Sequence, residues 1–296
     1  MSAAAPPATH AGLSPLVLAC LAATWFVWGS TYLAIKFALV SFPPFFQMGT
    51  RFLVAGILLF AWVLWRRQPL PTLAQWRNAT IVGALMLGGG MGGTAFAEQT
   101  VASGLVVAFI AITPALITIA SLPFGIKPSN LEVVGISIGI AGVVLLVSGA
   151  GFSSSPTGLV AILTATLSWS IGSVLSQNVF PLAPASSGFS SEMICGGLFL
   201  LLLAVLTGET FAWPPQPLAG AAWVYLVVFG SLIAFVAYMM LLSSTSPALA
   251  SSYSFVNPVI AMLLGISLGG ESVTIHEWIA VGIIVAGVAV LVLGRR

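Results

Sequence analysis

Apolar residues along this chain come in long unbroken blocks. They show neither the period of two expected of half-buried strands nor the narrow stripe of a soluble amphipathic helix. Crossing about 30 Å of hydrocarbon takes roughly 20 mostly apolar helical residues. By that measure the pattern predicts ten spans, near 15–37, 45–65, 78–98, 101–122, 131–149, 157–178, 187–207, 219–241, 247–268 and 275–294. Proline, glycine and serine clusters punctuate them: Pro43-Pro44, Pro69 to Pro71, Lys127-Pro128, Ser153 to Pro156, Pro181 to Pro184, Pro214 to Pro217 and Gly269-Gly270. The linkers are a few residues long, and no stretch is left for a soluble domain. Residues 1–14 read as a short disordered tail.

Composition explains why the pattern takes this form. The chain has 296 residues, 59% hydrophobic and 5% charged, against about 25% charged in an ordinary soluble domain. Lipid must be the solvent for most of its surface. A net charge of +2, spread over scattered basic residues, offers no face for tracking phosphates, so nucleic acid is excluded as a partner. Cys20 and Cys195 both lie in apolar runs, and the histidines are His10 and His276. Neither a disulfide framework nor a metal site is expected.

The stretch Leu85–Gln99, LMLGGGMGGTAFAEQ, satisfies the dinucleotide pattern G-x-G-x-x-G at Gly88, Gly90 and Gly93. That motif needs a preceding strand and a helix opening behind it, and here it falls inside a span. The same glycines form two G-x-x-x-G pairs, Gly88/Gly92 and Gly89/Gly93, which let helices approach closely in lipid. Five glycines in six residues also weaken a helix by about 1 kcal/mol each, so the segment is expected to be close-packed and bendable.

Basic residues set the threading. With both ends cytoplasmic, Arg66, Arg67, Arg77, Lys127, Arg295 and Arg296 all lie inside, and only Lys36 and Arg51 lie toward the outside. The chain also repeats. LAATWFVWGS at Leu21–Ser30 is similar to LTATLSWSIGS at Leu163–Ser173, and SGLVVAFIAITP at Ser103–Pro114 to PALASSYSFVNP at Pro247–Pro258. Glu132 corresponds to Glu277, and Ala141-Gly142 to Ala286-Gly287. Five spans is an odd number, so consecutive copies enter the membrane from opposite sides. The fold class expected is therefore an all-α polytopic membrane protein of ten helices. Two inverted five-helix repeats, 15–149 and 157–296, surround a central cavity, and such pairs hold substrate near the midplane.

WGSTYLAIKFAL at Trp28–Leu39, RFLVAG at Arg51–Gly56, AEQTVASGLVVAFIAITP at Ala97–Pro114 and GIAGVVLLV at Gly139–Val147 resemble the EamA-type families of the drug/metabolite transporter superfamily. The AEQ…SG phrase is most similar to amino-acid and metabolite exporters of the YddG and YedA type. The resemblance covers essentially the whole chain. It implies ten helices in the cell inner membrane, with helices one to four and six to nine around a cavity and five and ten at the periphery. It also implies export of neutral, often aromatic, amino acids or related metabolites.

Trp25, Trp28 and Tyr32 share one face of the first span, and Trp169 holds the equivalent depth in the sixth. Such rings can stack on an aromatic substrate while Ser173 and neighbouring hydroxyls hydrogen-bond its ends; otherwise they fill space between helices. Tyr253 and Asn257, on the ninth span, reach toward the same place, and Tyr238 is a weaker candidate. Charges inside spans cost roughly 2.5–3.5 kcal/mol on insertion scales and are functional candidates for that reason. Arg51 and Glu98 both lie toward the outer side and are expected to pair, as a gate strut, a hold on a zwitterion or a structural tie. Glu192 either carries a proton or snorkels to the inner interface, the latter being preferred. Pro114 and Pro258 fall at matched positions and, with Gly88, Gly90 and Gly93, are hinge candidates.

No Walker-type loop is present and no cofactor is expected. The chain contains no Asp and no mid-span His, which argues against an intramembrane protease or metalloenzyme. The reading favoured is a secondary transporter that exports small neutral or zwitterionic metabolites, most plausibly amino acids, by alternating access. A drug or toxic-compound exporter of the same fold and a passive channel are the alternatives. The partners expected are a small-molecule substrate and the lipid bilayer, with a monomer as the simplest state.

Overall fold

The computed structural model describes residues 13–101, 103–148, 155–211, 213–269 and 274–294; the expected tail at 1–14 lies outside these apart from its last two residues. Among the described residues there is no strand, and ten helices are long and apolar enough to cross a membrane. They are α1 Pro15–Leu39, α2 Pro44–Trp65, α3 Leu73–Ala97, α4 Val106–Phe124, α5 Asn130–Val147, α6 Pro156–Asn178, α7 Ala185–Leu206, α8 Pro217–Ser244, α9 Pro247–Leu264 and α10 Ile275–Gly294.

Helix starts follow local chemistry. Ser14, Ser155 and Ser246 each accept a main-chain N–H and are followed by proline, the residue best suited to a first helical position. Thr72 with Gln75 and Ser129 with Glu132 form capping boxes. The first of these begins α3 five residues before the apolar block does, because capping overrides the polar run that follows.

Loop contacts sort the ends of the helices onto two faces. On one face, Ser187 donates to the Pro69 carbonyl and Ser129 to that of Gly294. Arg66, Arg67 and Lys127 lie on that side, called here the basic face. On the opposite face Glu209 accepts the Phe45 and Phe46 N–H groups, and Ser155 donates to Thr100.

Two helix pairs pack over their whole length through glycine. In α2 and α7, a Cβ on Gly49 would fall 2.9 Å from Leu201, one on Gly56 2.9 Å from Ile194, and one on Gly197 2.7 Å from the Leu53 nitrogen. Each step along one helix is thus a step back along the other. In α5 and α10 the same holds for Gly135 against Leu291, Gly139 against Gly287 and Gly142 against Ile284. These helices meet antiparallel about points near residues 54/195 and 140/285, the geometry that two oppositely threaded copies would give.

The remaining six helices form two groups: α6 packs on α3 and α4, and α1 packs on α8 and α9. Their backbones are irregular. Widened π-helical turns run over Ala23–Val27 in α1, Ala84–Gly92 in α3 and Leu226–Phe235 in α8. Such turns are rare and concentrate at functional places.

Candidate functional site

Between those two groups lies a narrow cavity of about 40 Å³, lined by Trp28, Thr31, Tyr32, Ile35, Met48, Gly90, Met91, Thr94, Ile110, Thr113, Ala165, Thr166, Trp169 and Tyr253. No lining side chain is charged. The cavity is displaced toward the opposite face, since Ile35, Met48 and Thr94 all come from that half of their helices.

On its basic-face side the cavity ends on four interlocked rings. Trp28 and Trp169 meet edge to face at 5.7 Å. Tyr253 stands 4.6 Å from Trp28, and Tyr238 5.1 Å from Trp169 and 5.6 Å from Tyr253. Edge-to-face aromatic pairs contribute about 0.5–1.5 kcal/mol each beyond buried area, so this floor resists casual opening. The rings are fixed from behind. Trp28 Nε1 donates to the Gly230 carbonyl at 3.2 Å, and the Tyr238 and Ser173 hydroxyls lie 2.8 Å apart. Trp169 Nε1 is held less firmly: it is buried and makes no well-aligned hydrogen bond, though the Tyr238 and Tyr253 hydroxyls lie near it. Gly90 is needed beside it, because a Cβ there would lie 3.1 Å from the Trp169 ring.

The structure brings Trp28, Tyr32, Trp169 and Tyr253 together as expected, and moves other candidates out of the cavity wall. Trp25 is half-buried and donates to Ser252 at 3.0 Å, tying α1 to the break in α9. Ser173 is behind the floor. Asn257 donates to the Tyr32 hydroxyl at 3.3 Å and leaves its own Oδ1 unpartnered. Tyr238, the weaker candidate by sequence, stands in the middle of the floor.

The expected Arg51–Glu98 pair does not form. Both sit toward the opposite face, but each turns to other groups, because depth along a helix says nothing of azimuth. Arg51 is fully buried against α8, its Nε donating to Ser231 at 2.7 Å and its Nη1 approaching Met48 Sδ at 3.5 Å. Its guanidinium also lies 4.8 Å from the Phe52 ring centre. Glu98 is buried with neither oxygen hydrogen-bonded, and the cation that acts on it is Lys36. Glu192 does not snorkel: it is fully buried and both of its oxygens lack a partner.

Arg51 and Glu192 are, moreover, equivalent. Each is the eighth residue of a 22-residue helix, in RFLVAG and EMICGG respectively. This register was available in the sequence and would have linked them.

The two prolines are not matched kinks. Pro114 is the second residue of a new helix after α4 breaks at Ala111-Ile112, whereas Pro258 sits inside the continuous helix Tyr253–Gly269, and α9 breaks earlier, at Ser251-Ser252. Gly88 and Gly93 pack against Phe199 and Ala165, within and just after the π-helical stretch of α3.

The EamA-like transporter family matches residues 13–148 and again 156–293. The chain is 42% identical over 276 residues to an uncharacterized inner membrane transporter, YedA, of Escherichia coli (strain K12), covering 93% of this chain and 90% of that one. It is 30% identical over 249 residues to protein PecM of Dickeya dadantii, covering 81% and 80%. A solved crystal structure that is 23% identical superposes with a TM-score of 0.77 over 95% of this chain and 97% of its own, and so shares the fold. With both halves matched and a relative this similar along most of its length, the chain belongs to the EamA-like transporter family and is a membrane transporter, not an enzyme.

Proposed function

We propose that this transporter is a secondary carrier that exports small neutral or zwitterionic metabolites, amino acids and aromatic ones among them, across the inner membrane by alternating access. Its basic face and both ends lie in the cytoplasm, following the bias of Arg66, Arg67 and Lys127. The two matched halves are read as inverted repeats, divided near residues 149–157, with Pro114, Pro258 and the π-helical stretches absorbing the bending. The observation that carries this reading is the lining of the cavity: four aromatic rings and four threonines around one narrow space with no charged wall, which opens further as the barrier moves. Aromatic faces take up a side chain, threonine hydroxyls and the loosely held Trp169 N–H meet polar ends, and the lack of fixed charge disfavours anionic cargo.

The floor favours one further class. Two tryptophans and two tyrosines facing one space also suit an organic cation, through cation–π attraction of about 0.5–2 kcal/mol.

The test is counterflow in proteoliposomes. Vesicles loaded with unlabelled compound are diluted into its labelled form, with single neutral amino acids and quaternary ammonium cations as the panel. Saturable, transient accumulation of phenylalanine or another neutral amino acid is expected. Accumulation of cations alone would select the second class, and unsaturable flux without counterflow would show a channel and overturn the carrier reading.

A further inference from the structure

Below the aromatic floor the barrier toward the basic face is thin. An open recess on that face is lined by Ser176, Phe189, Val236, Met239 and Met240, among others. Phe189 precedes Glu192 by one turn of α7, and Met239 adjoins Tyr238. Glu192 therefore occupies the layer between the cavity floor and the recess, sealed from both. Nothing there compensates its charge. Both oxygens are unpartnered, and the hydroxyls of Ser190 and Ser191 are spent on Ser187 and Gly188 of their own helix. The ionisable groups within its electrostatic reach are Tyr238 on α8 and Cys195 on α7. On the other helices packed against α7, Arg77 of α3 is exposed and bonded to Asn78, and Arg51 of α2 lies two turns away, toward the opposite face.

An ionised carboxylate cannot be held in apolar surroundings without a partner. A metal cation would need a shell of oxygen ligands, and among the described residues no group of three His, Cys, Asp or Glu could hold one. A proton needs only the carboxylate. We propose that Glu192 is a proton-binding site whose occupancy is set by the barrier. One O–H bond forms on Glu192 as the barrier closes, the proton coming from water in the basic-face recess. That bond breaks, returning the proton to the same water, when the barrier opens. This deepens the carrier reading and rests on it for the opening step. Arg51, its equivalent in the other half, keeps a permanent charge, so Glu192 has no titrating counterpart at the matched place in α2. The other buried, unpartnered carboxylate, Glu98, lies toward the opposite face with Lys36 as its cation.

Linkage fixes the size of the effect. With one proton bound only in the closed state, the closed-to-open ratio rises up to tenfold for each unit of acidification. Phenylalanine counterflow, with equal pH on both sides of the vesicle, is measured between pH 6 and 8. In the wild type the rate is expected to change severalfold across this range, whereas Glu192→Gln should lose most of that change, with any remainder removed by the further substitution Glu98→Gln. Equal pH profiles in the two proteins, or a flat wild-type profile, would overturn the proposal.

Thermal melting supplies an arm that needs no substrate. The sealed acid keeps a proton that an unfolded chain has lost, so the wild-type melting temperature should fall as pH rises from 6 to 8. Glu192→Gln and Glu192→Met should fold and lose that part of the fall. A neutral, unpartnered carboxyl makes no contact that these side chains lack. Failure of both variants to fold, or unaltered pH dependence of melting, would contradict it. Absence of phenylalanine counterflow at every pH would count against the function proposed above, while melting still decides Glu192.

Discussion

The two halves of this transporter share a scaffold and differ in which polar groups they leave unpaired. Trp28 in α1 and Trp169 in α6 face each other across one floor, yet Trp28 is anchored to the Gly230 carbonyl while the Trp169 N–H makes no well-aligned bond. Arg51 in α2 finds Ser231, Met48 and Phe52, while Glu192, at the same place in α7, finds no partner. In each pair the first half supplies the better-braced member, although Arg51 Nη2 lacks a partner, as do both oxygens of Glu98 in the same half. The matched helices thus surround one cavity and its aromatic floor, and the differences between them set which groups are held and which are left open. Braced groups hold the shape, and unpaired groups are available to a substrate or a proton.

The shared scaffold is the most sensitive part. Gly197→Val places a methyl within 3 Å of the α2 backbone, and Gly287→Val does the same to α5. Backbone cannot yield as a side chain can, so each is expected to cost about 3 kcal/mol or more. Loss of folded protein on size-exclusion chromatography checks this; a well-folded Gly197→Val would show that the α2–α7 contact is not the fixed axis of the molecule.

The charged pair comes next. Arg51→Lys removes the planar fork and strands the Ser231 hydroxyl, an expected loss of about 1–3 kcal/mol in thermal or denaturant unfolding. Equal stability of Arg51→Lys and wild type would mean that Arg51 is no better braced than Glu192.

The tryptophans separate more finely. Trp28→Phe loses a buried hydrogen bond and should lower stability by about 1 kcal/mol. Trp169→Phe loses only the weak approach of its N–H to the Tyr238 and Tyr253 hydroxyls: its stability should fall less than that of Trp28→Phe, while counterflow requires severalfold more substrate for half-saturation. The reverse outcome, a destabilised Trp169→Phe with normal transport, would assign Trp169 to packing. The smallest effect is expected at Pro114, the second residue of its helix, where alanine should alter stability by no more than about 0.5 kcal/mol.

Much of this was legible because lipid imposes simple demands. Span number followed from the length of apolar runs, and the floor tryptophans from the repeat that places Trp28 opposite Trp169. What the sequence hid was azimuth. Arg51 and Glu98 share a depth and still do not meet, and Glu192 lies one turn too deep, against the wrong neighbours, to reach the interface. Tyr238 was underrated because no pattern in the sequence sets it apart from the other rings of α8; only packing brings it beside Trp28 and Trp169. The breaks in α4 and α9 escaped for another reason. Proline marks a place where a helix can end, but in α9 the chain breaks nearly two turns earlier, at Ser251, which donates to the Pro247 carbonyl, and Ser252, which accepts from Trp25 of α1.

The central claim is that one cavity is served from two faces in turn. Thr166 lines it near mid-membrane. A single cysteine at that position, with Cys20 and Cys195 changed to serine, is probed in sealed vesicles with a membrane-impermeant thiol reagent from each face, with and without saturating phenylalanine. The account predicts that any gain in reactivity from one face is matched by a loss from the other. Reactivity that rises or falls on both faces together would contradict it.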